Sequence, residues 1–200
     1  MKWYDIEQNS EEWLELRLGK FTASSFADLF MKKDTATYEK AILRVVFERL
    51  TGESPEFFES EYMKRGHEIE SLARQEYEET RFEDVQPGGF FELNEYVGAS
   101  PDGLIGDDGL LEIKSPAFNT MIKYLQARTL PIQYKWQVQG QLLVTGRKWC
   151  DFMAYHPKLP VFITRVYPDQ AATELLKAEL DTAIGKVIEV METINQHLIK

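Results

Sequence analysis

Cysteine is all but missing from this sequence: Cys150 is the only one in 200 residues. A single thiol excludes an intramolecular disulfide and a multi-thiolate metal site, and its place in the apolar run KWCDFMAY marks a buried structural residue. Long apolar runs are absent too. Nothing approaches the roughly 20 uninterrupted apolar residues of a membrane span, and the opening MKWYDIEQNSEEW lacks the basic and then apolar layout of a secretory signal. A cytoplasmic protein without a membrane partner is expected. Positive charge is in deficit: 23 Lys and Arg against 33 Asp and Glu leave a net charge of −10. That balance argues against nonspecific coating of nucleic acid, which depends on cations neutralising phosphates. It leaves room for a site whose carboxylates bind divalent cations, since bound cations reverse the local field. His67, His156 and His197 are scattered and show no spacing for a zinc site or a nucleophile and base pair. No repeat, low-complexity tract or Pro/Gly/Ser linker divides the chain, so one domain over residues 1–200 is expected.

What is present is an apolar pattern that runs from helical to strand-like and back to helical. Ser10 is placed to cap a short helix through about Leu18. Thr37 is placed to cap a longer one whose Ala41, Ile42, Val45, Val46 and Leu50 recur at helical spacing before Gly52 ends it. A helix from Glu61 to Glu79 aligns Gly66, Glu70, Ala73 and Tyr77 on one stripe, which sets the Glu70 carboxylate among packing residues. GGFFEL, YVGASPDGLI, the turn GDDG and LLEIKSP then read as an antiparallel meander. A helix from Pro131 to Val144, the strands KWCDFMAYH and VFITRVY, and a long C-terminal helix complete an α/β chain: a small mixed sheet flanked by helices.

Strand alternation in LLEIKSP puts Glu112 and Lys114 on one face, about 7 Å apart, and Leu111 and Ile113 on the other. If the GDDG turn folds the preceding strand back, Asp102 of SPDG approaches Glu112. Paired carboxylates of that kind bind hard, oxygen-seeking cations such as Mg²⁺. The set suits phosphodiester hydrolysis: a metal polarises the phosphate and activates water, while the nearby ammonium orients that water or stabilises developing charge. Alone, each part has a plainer reading. Glu-x-Lys on a strand is commonly a solvated ion pair, and SPDG is a respectable turn. Their order is what counts: Glu70 on a helix, then Pro-Asp, then Glu-x-Lys, then a glutamine-rich helix.

With those residues in view, the chain resembles the lambda-type phage exonucleases of the YqaJ-like viral recombinase family, within the PD-(D/E)XK nucleases. The likeness rests on EEWLELRLGKFTAS, with Arg17 and Ser24; on GHEIE, with Glu70; on SPDG from Ser100; on EIKSP from Glu112; and on YKWQVQ from Tyr134. The resemblance implies a PD-(D/E)XK restriction-endonuclease-like fold. It implies catalytic Asp102, Glu112, Lys114, Gln137 and Glu70, with metal held by Asp102, Glu112, the Ile113 backbone carbonyl and Glu70, the last through water. Two Mg²⁺ ions, or Mn²⁺, are the implied cofactors. Arg17, Ser24 and Ser100 match residues that hold a terminal phosphate, a task suited to a guanidinium and hydroxyls. Ser24 also reads as a plain helix cap. Met63 falls where the family places an apolar wedge, and Tyr134 is a candidate for stacking on bases. Gln139 and Gln141 read as an exposed polar face, and the Lys32-Lys33 loop is a candidate DNA contact because it is basic.

The implied activity is a Mg²⁺-dependent exodeoxyribonuclease of the alkaline exonuclease type. It would degrade one strand of duplex DNA from a phosphorylated 5′ end, release mononucleotides and leave 3′ overhangs for a single-strand-annealing recombinase. The setting would be a phage or prophage protein in a bacterial cytoplasm, assembled as a homotrimeric ring. An internally cutting or structure-specific nuclease of the same superfamily, and a noncatalytic DNA-end-binding protein, remain as alternatives.

Overall fold

The computed structural model describes residues 1–55 and 61–198, with side chains described for all of these except 61–68 and 197–198. The side chain of Met63, on which the wedge expectation rests, lies outside the described ones, as do those of His67 and His197.

Two small mixed sheets carry the chain. The first has the order β1-β4-β5-β2, with β1 Lys2–Tyr4, β2 Phe21–Thr22, β4 Phe90–Asn94 and β5 Val97–Ala99. The second has the order β3-β6-β7-β8-β9, with β3 Val85–Pro87, β6 Gly103–Ile105, β7 Gly109–Lys114, β8 Trp149–Ala154 and β9 Phe162–Val166. The expected meander is therefore two hairpins in two sheets. YVGASPDGLI supplies β5 to one sheet and β6 to the other, and the chain crosses between them at Ser100–Asp102. Alternation of polarity reports which face of a strand is buried; it carries no information about which sheet the strand joins.

Helices cover both sheets: α1 Glu11–Arg17, α2 Ala36–Thr51, α3 Glu61–Arg81, α4 Phe118–Ala127, α5 Lys135–Thr145 and α6 Gln170–Leu198. Ser10 caps α1 as expected, its hydroxyl accepting from the Trp13 amide. For α2 the cap is Thr35 rather than Thr37, since it is the Thr35 hydroxyl that accepts the Tyr38 amide. Leu50, read as part of the buried stripe, is exposed. The helix expected from Pro131 opens as a 3-10 turn, Ile132–Tyr134, before α5 begins at Lys135.

Strands β7 and β8 run parallel, so the chain between them must cross over, and α4 and α5 make that crossing. The 3-10 segment Ala23–Phe30 is the seat of α5: Phe30 stacks on Trp136 with centroids 3.5 Å apart. A Cβ on Gly140 would lie 2.3 Å from the Phe26 ring, so only glycine lets the helix settle this deep. The depth matters because α5 brings glutamines to β7.

Candidate active site

The site begins where β6 ends. Gly103, its first residue, stands opposite Leu111 in the β6–β7 ladder, so past Leu111 that edge of β7 has no strand beside it. Asp102 fills the gap: its carboxylate accepts the Ile113 amide at 2.6 Å. A strand residue sends its N–H and C=O to the same edge. The Ile113 carbonyl therefore leaves β7 on the Asp102 side, while the Lys114 carbonyl accepts the Tyr155 amide on the β8 side.

Glu112 projects from the opposite face to Leu111 and Ile113, which pack into a small apolar cluster with Ala73 and Tyr77. It is only 1% exposed, and donors meet both of its oxygens. Oε1 accepts from Gln137 Nε2 at 2.5 Å and pairs with Lys114 Nζ at 2.5 Å; Oε2 accepts from Gln141 Nε2 at 2.5 Å. A carboxylate offers about four lone-pair positions, so one is left, on Oε2.

The electrostatics show a surplus of negative charge. Burial, then the Glu112 carboxylate, raise Asp102 well above the usual carboxylate range; Glu70 adds to the rise, with Lys114 and the Ile113 amide opposing. Burial pulls the Lys114 ammonium down, but Glu112 and then Asp102 outweigh it and raise it overall, so Lys114 is a held cation. Its Nζ lies 5.5 Å from the centre of the Tyr134 ring, which in turn packs on Phe152 at 5.0 Å.

On the far side of Asp102, Arg74 donates to the Asp102 carbonyl at 2.7 Å and contacts Glu70 Oε1 at 3.5 Å, one turn back along α3. Glu70, Arg74 and Asp102 line a cleft of about 490 Å³ closed by Asp5–Asn9, Pro87 and Gly88. Gln8 Nε2 holds that N-terminal segment by donating to the Pro101 carbonyl at 2.7 Å. Gly88 is needed for the close approach, because a Cβ there would sit 1.7 Å from the same carbonyl oxygen.

Among the described residues no three Asp, Glu, His or Cys side chains gather to hold a metal by themselves. The donor set here is of another kind: two carboxylates, Asp102 and Glu112, and a backbone carbonyl at Ile113, with Glu70 further out. All are hard oxygens, and the unrelieved charge on Asp102 is what a divalent cation would offset, so the residues fit such an ion.

A second cluster lies up-chain of Asp102. The Arg17 guanidinium stacks on Trp13 at 4.1 Å and donates to Thr22 Oγ1 at 3.4 Å; Thr22 Oγ1 is 3.3 Å from Ser24 Oγ. Trp13 Nε1 donates to Ser100 Oγ at 2.6 Å, and Ser100 gives its own proton to the Gly89 carbonyl at 2.6 Å. Arg17, Ser24 and Ser100 are thus one constellation, joined by Trp13 and Thr22. Burial, then Arg44, lower Arg17 to about 10, with Glu48 opposing. Glu48 is itself engaged by Arg44 at 2.8 Å, and among the described residues Arg17 forms no salt bridge. It is a half-buried cation with no carboxylate of its own among the described residues.

Residues 12–148 match the family model of the YqaJ-like viral recombinase domain. The chain belongs to that family. An alkaline exonuclease, LHK-Exo from Laribacter hongkongensis, is 34% identical and superposes with a TM-score of 0.87 over 95% of this chain and 98% of its own. The same exonuclease in complex with dAMP gives 0.88 over the same shares. A phage related exonuclease from Haemophilus somnus, 16% identical, shares the fold at 0.70 over 88% of this chain and 96% of its own. Uncharacterized protein R354 of Acanthamoeba polyphaga mimivirus is 29% identical over 164 residues, 74% of this chain. The chain spans only 29% of that curated relative's length. Family and fold together make this a nuclease domain of the PD-(D/E)XK type.

Within this YqaJ-family site the structure brings Asp102, Glu112, Lys114 and Gln137 together, sets Glu70 beside them, and holds Tyr134 under Lys114. It departs from the sequence reading at two glutamines. Gln139 and Gln141 are 4% and 1% exposed, not a polar surface. Gln139 donates to the Tyr167 carbonyl and accepts the Asp169 amide, both at 2.9 Å, clasping the start of α6. Lys33 is engaged by Glu179 and the Leu29 carbonyl. Sequence reasoning missed the parts of Trp13, Thr22 and Arg74, and assigned Gln141 to the surface. For Gln141 the signal was its place one turn beyond Gln137, which allows a polar edge toward the site and was set aside for a surface role.

Proposed function

We propose that this nuclease is an exodeoxyribonuclease that degrades one strand of duplex DNA from a phosphorylated 5′ end. It releases mononucleotides and leaves 3′ overhangs for a single-strand-annealing recombinase. Mg²⁺ is its cofactor, two ions to a site, and Mn²⁺ substitutes. It works in the cytoplasm of a bacterium hosting a phage or prophage, as a homotrimeric ring, and residues 1–200 form one domain. The observation that carries the reading is the Asp102, Glu112, Lys114 arrangement at the open edge of β7, together with a half-buried Arg17 that forms no salt bridge among the described residues and is tied through Trp13 to Ser100, two residues before Asp102. Membership of the YqaJ-like family and likeness to an alkaline exonuclease support it.

Asp102, Glu112 and the Ile113 carbonyl would hold a cation, and Glu70 would reach it through water. When bound, the ion supplies Lewis-acid polarisation of the scissile phosphate and favours ionisation of water. Lys114, kept protonated by Glu112 and Asp102, donates toward the attacking water and the charge developing on phosphorus oxygens. Gln137 holds Glu112 in place, and the Tyr134 ring supports the Lys114 ammonium. Arg17 and Ser24 take the terminal phosphate, while Ser100 fixes Trp13 and so the plane on which Arg17 lies.

The test incubates purified protein with linear duplex DNA bearing a 5′ phosphate and with covalently closed circular DNA, each with Mg²⁺ and with EDTA. Loss of the linear duplex alone, and only with Mg²⁺, is expected. Cutting of the circle would show an internally acting nuclease, and no cleavage of either would show a noncatalytic end-binding protein.

A further inference from the structure

Gln141 has no assigned part, yet its amide reaches the one Glu112 oxygen that still has a free lone pair. We propose that Gln141 is a positioning residue for Glu112, fixing the carboxylate plane so that the remaining Oε2 lone pair is aimed at the cation. The inference rests on the reading of Glu112 as a cation ligand.

The geometry leaves the amide one orientation. Nε2 meets Glu112 Oε2 at 2.5 Å, and Oε1 faces the Cys150 thiol at 4.0 Å. Flipping the amide would set Oε1 against the carboxylate and point two N–H donors at a sulfur. The backbone around Gln141 is equally fixed: its carbonyl accepts Thr145 Oγ1 at 2.7 Å, and the neighbouring Gly140 is pressed onto Phe26.

Gln137 and Gln141 act at different oxygens of the same carboxylate, one helical turn apart. Without Gln141, Gln137 and Lys114 would both hold Oε1, and Oε2 would have no donor to fix its direction. The second amide supplies that donor and so sets the plane of the carboxylate. Such partners of a ligand characteristically change metal affinity or activity by about 10- to 100-fold when removed.

Gln139 supplies the control, because it is just as buried on the same helix but clasps the start of α6. Mn²⁺ binding is titrated calorimetrically, without DNA, on wild type, Glu112→Gln, Gln141→Met, Gln141→Asn and Gln139→Met. Methionine keeps the volume and removes the donor; asparagine keeps the amide but is one methylene too short to reach. Both Gln141 variants are expected to bind Mn²⁺ about 10-fold or more weakly. Gln139→Met is expected to lower the melting temperature with wild-type Mn²⁺ affinity. Wild-type affinity in either folded Gln141 variant overturns the inference. Wild type binding no better than Glu112→Gln overturns the cation reading itself, and the inference with it.

Discussion

The Tyr77 phenol donates a 2.6 Å hydrogen bond to the fully buried Asp151 carboxylate. The bond fastens α3, which carries Glu70, to β8, the parallel neighbour of the strand that carries Glu112 and Lys114. Arg165 on β9 closes the other side with bonds of 2.8 and 2.9 Å to the two Asp151 oxygens, its guanidinium lying 3.5 Å from the Trp149 ring centre. The spacing of Glu70 from Glu112 is thus set by a buried carboxylate with all its oxygens paired, behind the cleft.

Tyr77→Phe is expected to cost about 1–3 kcal/mol, since it takes a donor from a buried carboxylate without opening a cavity. Urea denaturation measures this. Burial, then the bond to Asp151, raise the Tyr77 phenol above its ordinary range. A raised folded value means that the contribution is whole below about pH 10, the unfolded value, and is lost as pH rises through the folded one. The stability gap between wild type and variant should be level from about pH 6 to 9 and narrow above about pH 10. A gap that widens there would contradict the assignment.

Lys114→Ala is expected to lose at least about 100-fold in turnover, because it removes the cation that pairs with Glu112 at 2.5 Å and whose charge also offsets that of Asp102. Binding to a 5′-phosphorylated duplex end, followed by fluorescence anisotropy, should change little, as Arg17 and Ser24 remain. Turnover near wild type would remove Lys114 from the chemistry.

What the sequence made legible follows from what periodicity encodes. The alternation of β7 separates Glu112 and Lys114 from Leu111 and Ile113 as expected, and the stripe on α3 buries Ala73 and Tyr77 beneath Glu70. Both are statements about one element and its faces. Partner choice was not legible. Nothing in YVGASPDGLI tells that its halves join different sheets, and a glutamine paired with a buried carboxylate has the same polarity as one in water. Arg74 and Trp13 were hidden for the same reason, since each acts on a residue 28 or 87 positions away.

Arg17→Ala should reduce the preference for a 5′-phosphorylated end over a 5′-hydroxyl end by about 10-fold or more, the worth of charge-assisted bonds to one phosphate. Trp13→Phe keeps an aromatic face under Arg17 but breaks the 2.6 Å bond to Ser100, and should give a smaller loss in the same direction. Competition between the two substrates in one reaction reads the preference directly. An unchanged ratio in Arg17→Ala would remove the phosphate-pocket assignment.

Asp102→Asn should separate stability from activity. Burial and the neighbouring carboxylates raise Asp102, so in EDTA the native state holds its proton more tightly than the unfolded chain does. Stability is then lost as pH climbs through the interval between the unfolded value, about 3.9, and the raised folded one. Asparagine can still accept the Ile113 amide through its side-chain oxygen and carries no charge to bury. In EDTA at neutral pH the variant should therefore melt several degrees above wild type while cleavage, assayed with Mg²⁺, is lost. Mg²⁺ should raise the melting temperature of wild type, because the ion binds only the folded chain, and should move the variant far less. Calorimetric scans of both proteins with and without Mg²⁺ check all of this, and a variant less stable than wild type in EDTA would show that the Asp102 charge is already balanced within the chain.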